Sequence, residues 1–215
     1  MSIKILLNSL YGALGNKYFR FFDQRIAESI TLSGQLTIRW AEEAINTYLQ
    51  SVLKTKKDYV LAIDTDSVYV CLDDLVSAVN PINPLEFIDT VCKDKLETVL
   101  EDSYAKLFGI MGGIENRMVM KREAIADRGI WTAKKRYILN VLDNEGVRYA
   151  EPKLKIMGIE AIKSSTPAPC REALKQIFKT IIAGSEKEVQ SNIETFRTHF
   201  KTLPPNEIAF PRGIT

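Results

Sequence analysis

Between Tyr59 and Val70 the chain reads Y-V-L-A-I-D-T-D-S-V-Y-V, two apolar runs around the polar turn Asp64-Thr65-Asp66-Ser67. Valine, isoleucine and tyrosine on both sides of a polar tetrapeptide predict a β-hairpin with two carboxylates at its tip. Upstream, Ile3, Leu7, Leu10 and Leu14 fall on one face of a predicted helix over residues 3–14, and Lys4, Asn8, Tyr11 and Gly12 on the other. Glycine inside a helix costs stability relative to alanine, so Gly12 reads as a point of close approach. Gly15-Asn16 interrupts the pattern, and Lys17–Phe22 is aromatic and basic. Asp23 then caps a long predicted helix reaching about Leu53, with its buried stripe expected at Ile26, Ile30, Ala41, Ala44, Ile45, Tyr48, Leu49 and Val52.

Downstream of the hairpin, Asn83-Pro84-Leu85-Glu86 combines a capping residue, proline at the first helical position and glutamate three after the cap. The helix it opens carries Leu85, Ile88, Cys92, Leu96, Val99 and Leu100 to Phe108, where Gly109 is expected to stop it. Strands are predicted at Arg117–Ile125, Ile130–Leu142 and Val147–Ala150, with Asp143-Asn144-Glu145-Gly146 as a turn. Lys153–Thr166 reads as a polar connection. Thr166-Pro167 opens a helix ending at Gly184, and Ser185-x-x-Glu188 is a capping box for another that Pro204-Pro205 terminates. The order of elements predicts an α+β fold: an antiparallel sheet with an acidic hairpin, packed by long helices, plus a C-terminal helical pair.

Composition sharpens this reading. With 215 residues, 46% of them hydrophobic, the chain can bury a sizeable core. The net charge is only +2, but residues 1–57 carry +4, 58–116 carry −9, 117–175 carry +6 and 176–215 carry +1. An acidic block holding the hairpin turn followed by a basic block suits a metal site beside a polyanion, and it also suits plain solvated surface. Cys71, Cys92 and Cys170 show no C-x-x-C spacing, which fits a reducing cytoplasm and speaks against a disulfide framework or structural zinc. No apolar run approaches the roughly 18 residues of a membrane span, and nothing resembles a signal peptide. The single histidine, His199, lies in a helical pattern and reads as a surface residue, so Ser-His-Asp or Cys-His chemistry is poorly supported. Hard divalent cations favour oxygen clusters such as Asp64 and Asp66, although aspartate and serine are also ordinary turn residues.

Three patterns stand in order: K-x-x-x-N-S-x-Y-G at Lys4–Gly12, D-T-D-S at Asp64–Ser67 and K-K-R-Y at Lys134–Tyr137. With M-K-R-E-A-I-A at Met120–Ala126 and E-P-K-L-K-I-M-G at Glu151–Gly158, the set resembles the C-terminal part of family B DNA polymerases of tailed bacteriophages. The resemblance covers nearly the whole chain and is weakest over the last forty residues or so. It implies a template-directed polymerase adding deoxynucleotides to a primer 3′ end by two-metal phosphoryl transfer with Mg2+. It implies Asp66 as the direct metal ligand, Asp64 as a supporting carboxylate and Glu123 as an auxiliary acid; for Glu123 a strand-surface ion pair stays equally open. Lys4 would grip the incoming triphosphate and supply a proton to the leaving pyrophosphate, with Asn8 and Tyr11 beside the nascent base pair. Gly12, Lys134, Lys135, Arg136 and Tyr137 would track the primer–template duplex, and Arg148, Lys153 and Lys155 would add phosphate contacts. If K-K-R-Y is a strand, only alternate side chains reach DNA from one face, Lys135 foremost.

The same resemblance divides the chain into a trailing fingers helix and return segment at 1–22, palm at 23–165 and the start of the thumb at 166–215. Expected partners are primer–template DNA, deoxynucleoside triphosphates and an N-terminal polymerase portion with the exonuclease, the first palm motif and the rest of the fingers. A sliding clamp is a further candidate partner, a membrane is not, and the expected location is the cytoplasm (the host's, if phage-encoded). Because the family's other metal aspartate precedes these residues, the isolated chain is expected to be inactive. Two departures stand out. Lys121 occupies a position that is acidic in the phage relatives, and the connection from Ala126 to Trp131 is short. The rivals are a non-catalytic nucleic-acid-binding module derived from a polymerase, and a metal-dependent enzyme of another class in which Asp-Thr-Asp is a coincidence.

Overall fold

The computed structural model describes residues 2–212, the side chains of Ser2, Lys4 and Asn8 excepted. It divides into two compact units, Met1–Arg122 and Glu123–Thr215.

The first unit is a helical layer that carries a hairpin. Helix α1 spans Ser2–Leu14 and α2 spans Gln24–Leu53. Asp23 caps α2 by accepting the Arg25 N–H at 2.9 Å, and Lys54 ends it in the left-handed conformation. Arg25, hydrogen-bonded through both side chain and backbone, pulls the Asp23 carboxyl down to about 2. Strands β1 (Val60–Asp64) and β2 (Ser67–Val70) form a two-stranded antiparallel sheet. Helices α3 (Asp73–Val79) and α4 (Pro84–Val91) follow, the latter capped by Asn83. A π-helical turn, Cys92–Leu96, joins α4 to α5, Glu97–Met111. The core gathers Ala41, Ile45 and Leu49 of α2, Leu96, Leu100 and Tyr104, and Tyr59 and Val60 of the hairpin into one buried cluster.

Several expectations change here. The helix does not stop at Gly109; it runs to Met111 and is closed by left-handed Gly112. Helix α3 was not expected, although Asp73 and Asp74 in its first turn are the charges a helix N-terminus favours. Arg117–Glu123 is not a strand: pairing begins at Ala124. The alternation there reflects packing instead, because half-buried Met118 and Met120 lie on the helical core while Val119 faces out. Among the described residues the apolar face of α1 is uncovered, with Ile3, Leu7 and Leu10 exposed. In α2, Ile26, Ile30 and Val52 are exposed too; burial concentrates at Ala27, Ile38, Ala41, Ile45 and Leu49.

The second unit is a three-stranded antiparallel sheet in the order β3 (Ala124–Ala133), β4 (Arg136–Asn144), β5 (Val147–Met157). The β4–β5 turn places Glu145 and Gly146 at positive φ, the geometry that matches strand twist in a two-residue hairpin. Asp143, almost fully buried, accepts the Gly146 N–H at 3.0 Å. Strand β5 runs on to Met157, so most of the expected polar connection from Lys153 is sheet; Pro152 is tolerated because β5 is an edge strand. Nor is there a loop between Ala126 and Trp131, which lie within β3 at irregularities in its register. A 3₁₀ turn, Glu160–Ile162, precedes α6 (Ala168–Ala183), α7 (Glu186–Phe200) and α8 (Pro205–Ile208). The predicted Ser185–Glu188 capping box forms, and His199 is exposed. One sheet face packs Ile130, Ile138, Leu154 and Ile156 against Ile159, Phe178 and Ile182. Within the described residues the strands thus form two small sheets, where a single one was expected.

Candidate functional site

The acidic hairpin is held firmly at its base. The Tyr59 N–H donates to the Asn46 side chain of α2 at 2.8 Å, and the Tyr59 hydroxyl bonds Thr55 at 2.8 Å. Cys71 N–H closes the pair on the Tyr59 carbonyl at 2.8 Å. Ile63, Val68 and Val70 pack against the helical core, so the tip projects from a buried platform.

At the tip Asp64 pairs across the ladder with Ser67, leaving Thr65 and Asp66 as the two turn residues. Thr65 has φ 51°, an uncommon value for a β-branched residue and a local strain on the order of 1–3 kcal/mol. The Asp66 N–H reaches back to the Asp64 carbonyl at 2.6 Å, and the Ser67 hydroxyl donates to the same carbonyl at 3.1 Å. The Thr65 hydroxyl donates to Asp64 Oδ1 at 3.2 Å. Asp64 is half-buried, whereas Asp66 is exposed at the apex. Among the described residues no cluster of three or more His, Cys, Asp or Glu side chains is set to hold a metal. The hairpin alone offers two hard carboxylates, one anchored and one open.

The second unit carries a basic counterpart. Ala133 pairs with Arg136, so Lys134 and Lys135 are the turn of the β3–β4 hairpin, not part of a strand. Both are exposed, and Lys135 is left-handed with φ 61°. The alternate-face presentation expected for K-K-R-Y therefore gives way to a lysine-tipped turn. Arg136 is half-buried and binds Glu160 at 2.5 Å. Tyr137 is only 5% exposed and packs against Trp131, so it belongs to the support of the tip and not to its exposed surface.

Gly158 sits beneath this turn at φ 66°, and a Cβ there would lie 2.1 Å from the Lys135 carbonyl oxygen. Backbone conformation and space both demand glycine. Gly158→Ala is therefore expected to cost on the order of 1–3 kcal/mol. It should also raise amide exchange at Lys135 and Arg136; an unchanged denaturation midpoint would show that the approach is slack.

The remaining predicted residues divide between α1 of the first unit and the strands of the second. Tyr11 and Gly12 are exposed on α1, while the side chains of Lys4 and Asn8 lie outside the described residues. Glu123, one residue ahead of β3, is ion-paired with Lys155 of β5 at 2.6 Å. Lys153 lies 4.1 Å over the Tyr149 ring, and Arg148 pairs with buried Asp143 at 3.5 Å. Glu160 and the glycine's steric role were not read from the sequence. The available signal was the run M-G-I-E, in which a glycine at a strand end is followed two residues later by an acid.

An antiparallel α+β chain presenting one acidic and one lysine-tipped hairpin is the class that this fold and site define. The chain belongs to DNA polymerase family B, which its residues 1–208 match. It is 42% identical to the DNA-directed DNA polymerase of Enterobacteria phage T4 over 221 residues, covering 96% of this chain and 25% of that protein. It is 41% identical to the DNA-directed DNA polymerase of Escherichia phage RB69, covering 85% of this chain and 22% of that protein. A DNA polymerase of Pyrococcus glycovorans is 26% identical over the whole chain, which covers 24% of it. The chain thus spans about a quarter of the length of these relatives. No helix in the described residues is long and apolar enough to cross a membrane.

Proposed function

We propose that these residues form part of a template-directed DNA polymerase that extends a primer 3′ end by two-metal phosphoryl transfer. The carrying observation is that a chain of family B places its Asp-Thr-Asp at the apex of a hairpin anchored on a buried helical core. Hard carboxylate oxygens fit Mg2+, and the turn at Thr65 sets exposed Asp66 at the apex next to the ladder-paired Asp64. Mg2+ held there would stabilise both the attacking and the leaving oxygens of an in-line displacement. In this reading Asp66 is the direct ligand, Asp64 its anchored support and Glu123 an auxiliary acid.

Lys4, Asn8 and Tyr11 of α1 would meet the incoming deoxynucleoside triphosphate. Gly12, the Lys134–Lys135 turn with Arg136 and Tyr137 behind it, and Arg148, Lys153 and Lys155 would serve the primer–template duplex. Residues 1–22 would then belong to the fingers, 23–165 to the palm and 166–215 to the thumb.

The sequence contains one of the two aspartate motifs this chemistry uses, so the 215-residue chain alone is expected to bind primer–template DNA without extending it. Adding a polypeptide that supplies the preceding polymerase portion should restore Mg2+-dependent extension. Extension by the chain alone would refute the division of the active site. A mixture that binds DNA but never extends it would favour a nucleic-acid-binding module.

A further inference from the structure

Past Lys54 the chain doubles back along α2, and two side-chain amides of the helix hold it there. Gln50 Nε2 donates to the Lys57 carbonyl at 3.0 Å. One turn earlier Asn46 works in both directions: its Oδ1 accepts the Tyr59 N–H at 2.8 Å, and its Nδ2 donates to Asp58 Oδ1 at 2.8 Å. The same Asp58 oxygen accepts the Val60 N–H at 2.9 Å, which carries the contact into the first residue of β1. Tyr59 is 1% exposed, and a buried N–H without a partner is costly, so it needs the Asn46 acceptor.

Spacing explains why these two amides suffice. Four residues of α-helix rise about 6 Å, and two residues of extended chain cover about 6.6 Å. Asn46 and Gln50 therefore match backbone groups two residues apart, and they take the part a third strand would take. Among the described residues β1 pairs only with β2. The apolar pattern of β1 decides which face turns inward, but a slip of two residues would satisfy it equally well. Asp58 removes that ambiguity, because it is the one carboxylate between Lys54 and Ile63. From this geometry we propose that Asn46 and Gln50 are positioning residues: they set how far along α2 the hairpin begins, and with it where Asp64 and Asp66 stand. The catalytic consequence rests on the polymerase reading above. The placement of the tip does not.

A reciprocal exchange isolates the role. Asn46→Asp keeps an acceptor for the Tyr59 N–H but removes the donor to Asp58 and sets two carboxylates together. Adding Asp58→Asn restores a donor and an acceptor to that contact with their positions exchanged. Amide resonances of the 15N-labelled full chain are compared among the parent, Asn46→Asp and N46D/D58N. In Asn46→Asp the resonances of Thr65, Asp66 and Ser67 should move together with those of Tyr59 and Val60. In the double variant they should return toward the parental positions. Misplacing reacting groups by about 1 Å can cost a hundredfold in rate. With the preceding polymerase portion added, single-turnover extension by Asn46→Asp at saturating nucleotide should therefore slow by about ten- to a hundredfold. The nucleotide concentration giving half the maximal rate should change little, and the exchange should recover most of the rate.

Tip resonances that stay in place while those of Tyr59 and Val60 move overturn the proposal, because the amide then holds only the base. A double variant no closer to the parent than Asn46→Asp overturns it as well. So does an unaltered rate in Asn46→Asp where Asp66→Ala abolishes extension. If Asn46→Asp fails to fold, Gln50→Glu decides in its place, since it removes the donor to the Lys57 carbonyl and should displace the same tip resonances. Failure of the underlying reading looks different: the parental chain with its added portion would extend no primer, while the resonances still report whether α2 sets the tip.

Discussion

Asp66→Ala is expected to reduce primer extension in the reconstituted assay by about a thousandfold or more. The expectation follows from the hairpin's construction. Asp66 is the exposed member of the pair, at the apex of a turn whose base is fixed through Tyr59, Asn46 and Thr55. Removing its carboxylate deletes charge stabilisation worth several kcal/mol in the transition state, and about 4 kcal/mol corresponds to a thousandfold. Fold should be untouched, because no part of the core rests on an exposed turn side chain. Single-turnover extension rates and thermal melts, measured side by side, separate the two effects. Asp64→Asn should cost less, since the carbonyl that organises the turn remains and an amide oxygen can still accept from Thr65. Near-normal extension by Asp66→Ala would remove the hairpin from the chemistry altogether.

The largest effect on stability is expected at Arg122, far along the chain from either hairpin. Its side chain is 7% exposed and its guanidinium meets Asp89 at 2.5 Å, while its backbone N–H donates to Glu97 at 3.2 Å. Breaking a buried ion pair from one side leaves a desolvated charge behind, typically at a cost of about 3–5 kcal/mol. Lys93, at 2.8 Å from Asp89, softens that penalty, so Arg122→Met should lose about 3 kcal/mol, at the lower end of that range. Acid should act in the same direction. Lys93 and then Arg122 hold the Asp89 carboxyl below its ordinary value of 3.8. Its contribution is therefore complete above that value and fades as pH falls through the lowered one. Urea midpoints from pH 7 down to pH 3 would check this: Asp89→Asn should be less stable than the parent at neutral pH and converge on it in acid. Equal midpoints for Arg122→Met and the parent would contradict the ion pair's role.

The hairpin, the long capped helix, the capping box and the Asp143–Gly146 turn were legible in the sequence because each rests on local chemistry. Residues two to four apart decide them. What escaped was decided at long range. Met118 and Met120 alternate like a strand, yet they pack on a helical core with no strand beside them. The stripe at Ile26 and Ile30 has helical spacing, yet the described residues supply nothing to cover it. Lysine in K-K-R-Y gives no sign that it forms a turn, because Lys135 adopts left-handed backbone only with Gly158 leaving room beneath it. For the candidate site the resemblance supplied residue types and order. The unequal standing of Lys134, Lys135, Arg136 and Tyr137 needed coordinates, since burial and the Glu160 contact depend on where a later strand ends.

The π-helical turn at Cys92–Leu96 bears on the Arg122 clamp in a way that spacing alone would hide. Asp89 and Glu97 are eight residues apart, and at about 100° per residue a plain α-helix would set them about 80° out of phase. A π turn takes up one extra residue, so the eight steps sweep the angle of seven, about 20° short of two full revolutions. Both acids then share one meridian of the helix and can grip the side chain and the backbone of the same residue. Residue 122 is also where the first compact unit gives way to the second. The inserted residue thus works as a vernier, a one-residue phase correction that lets a single helix hold the chain at the point where it passes from one unit to the next.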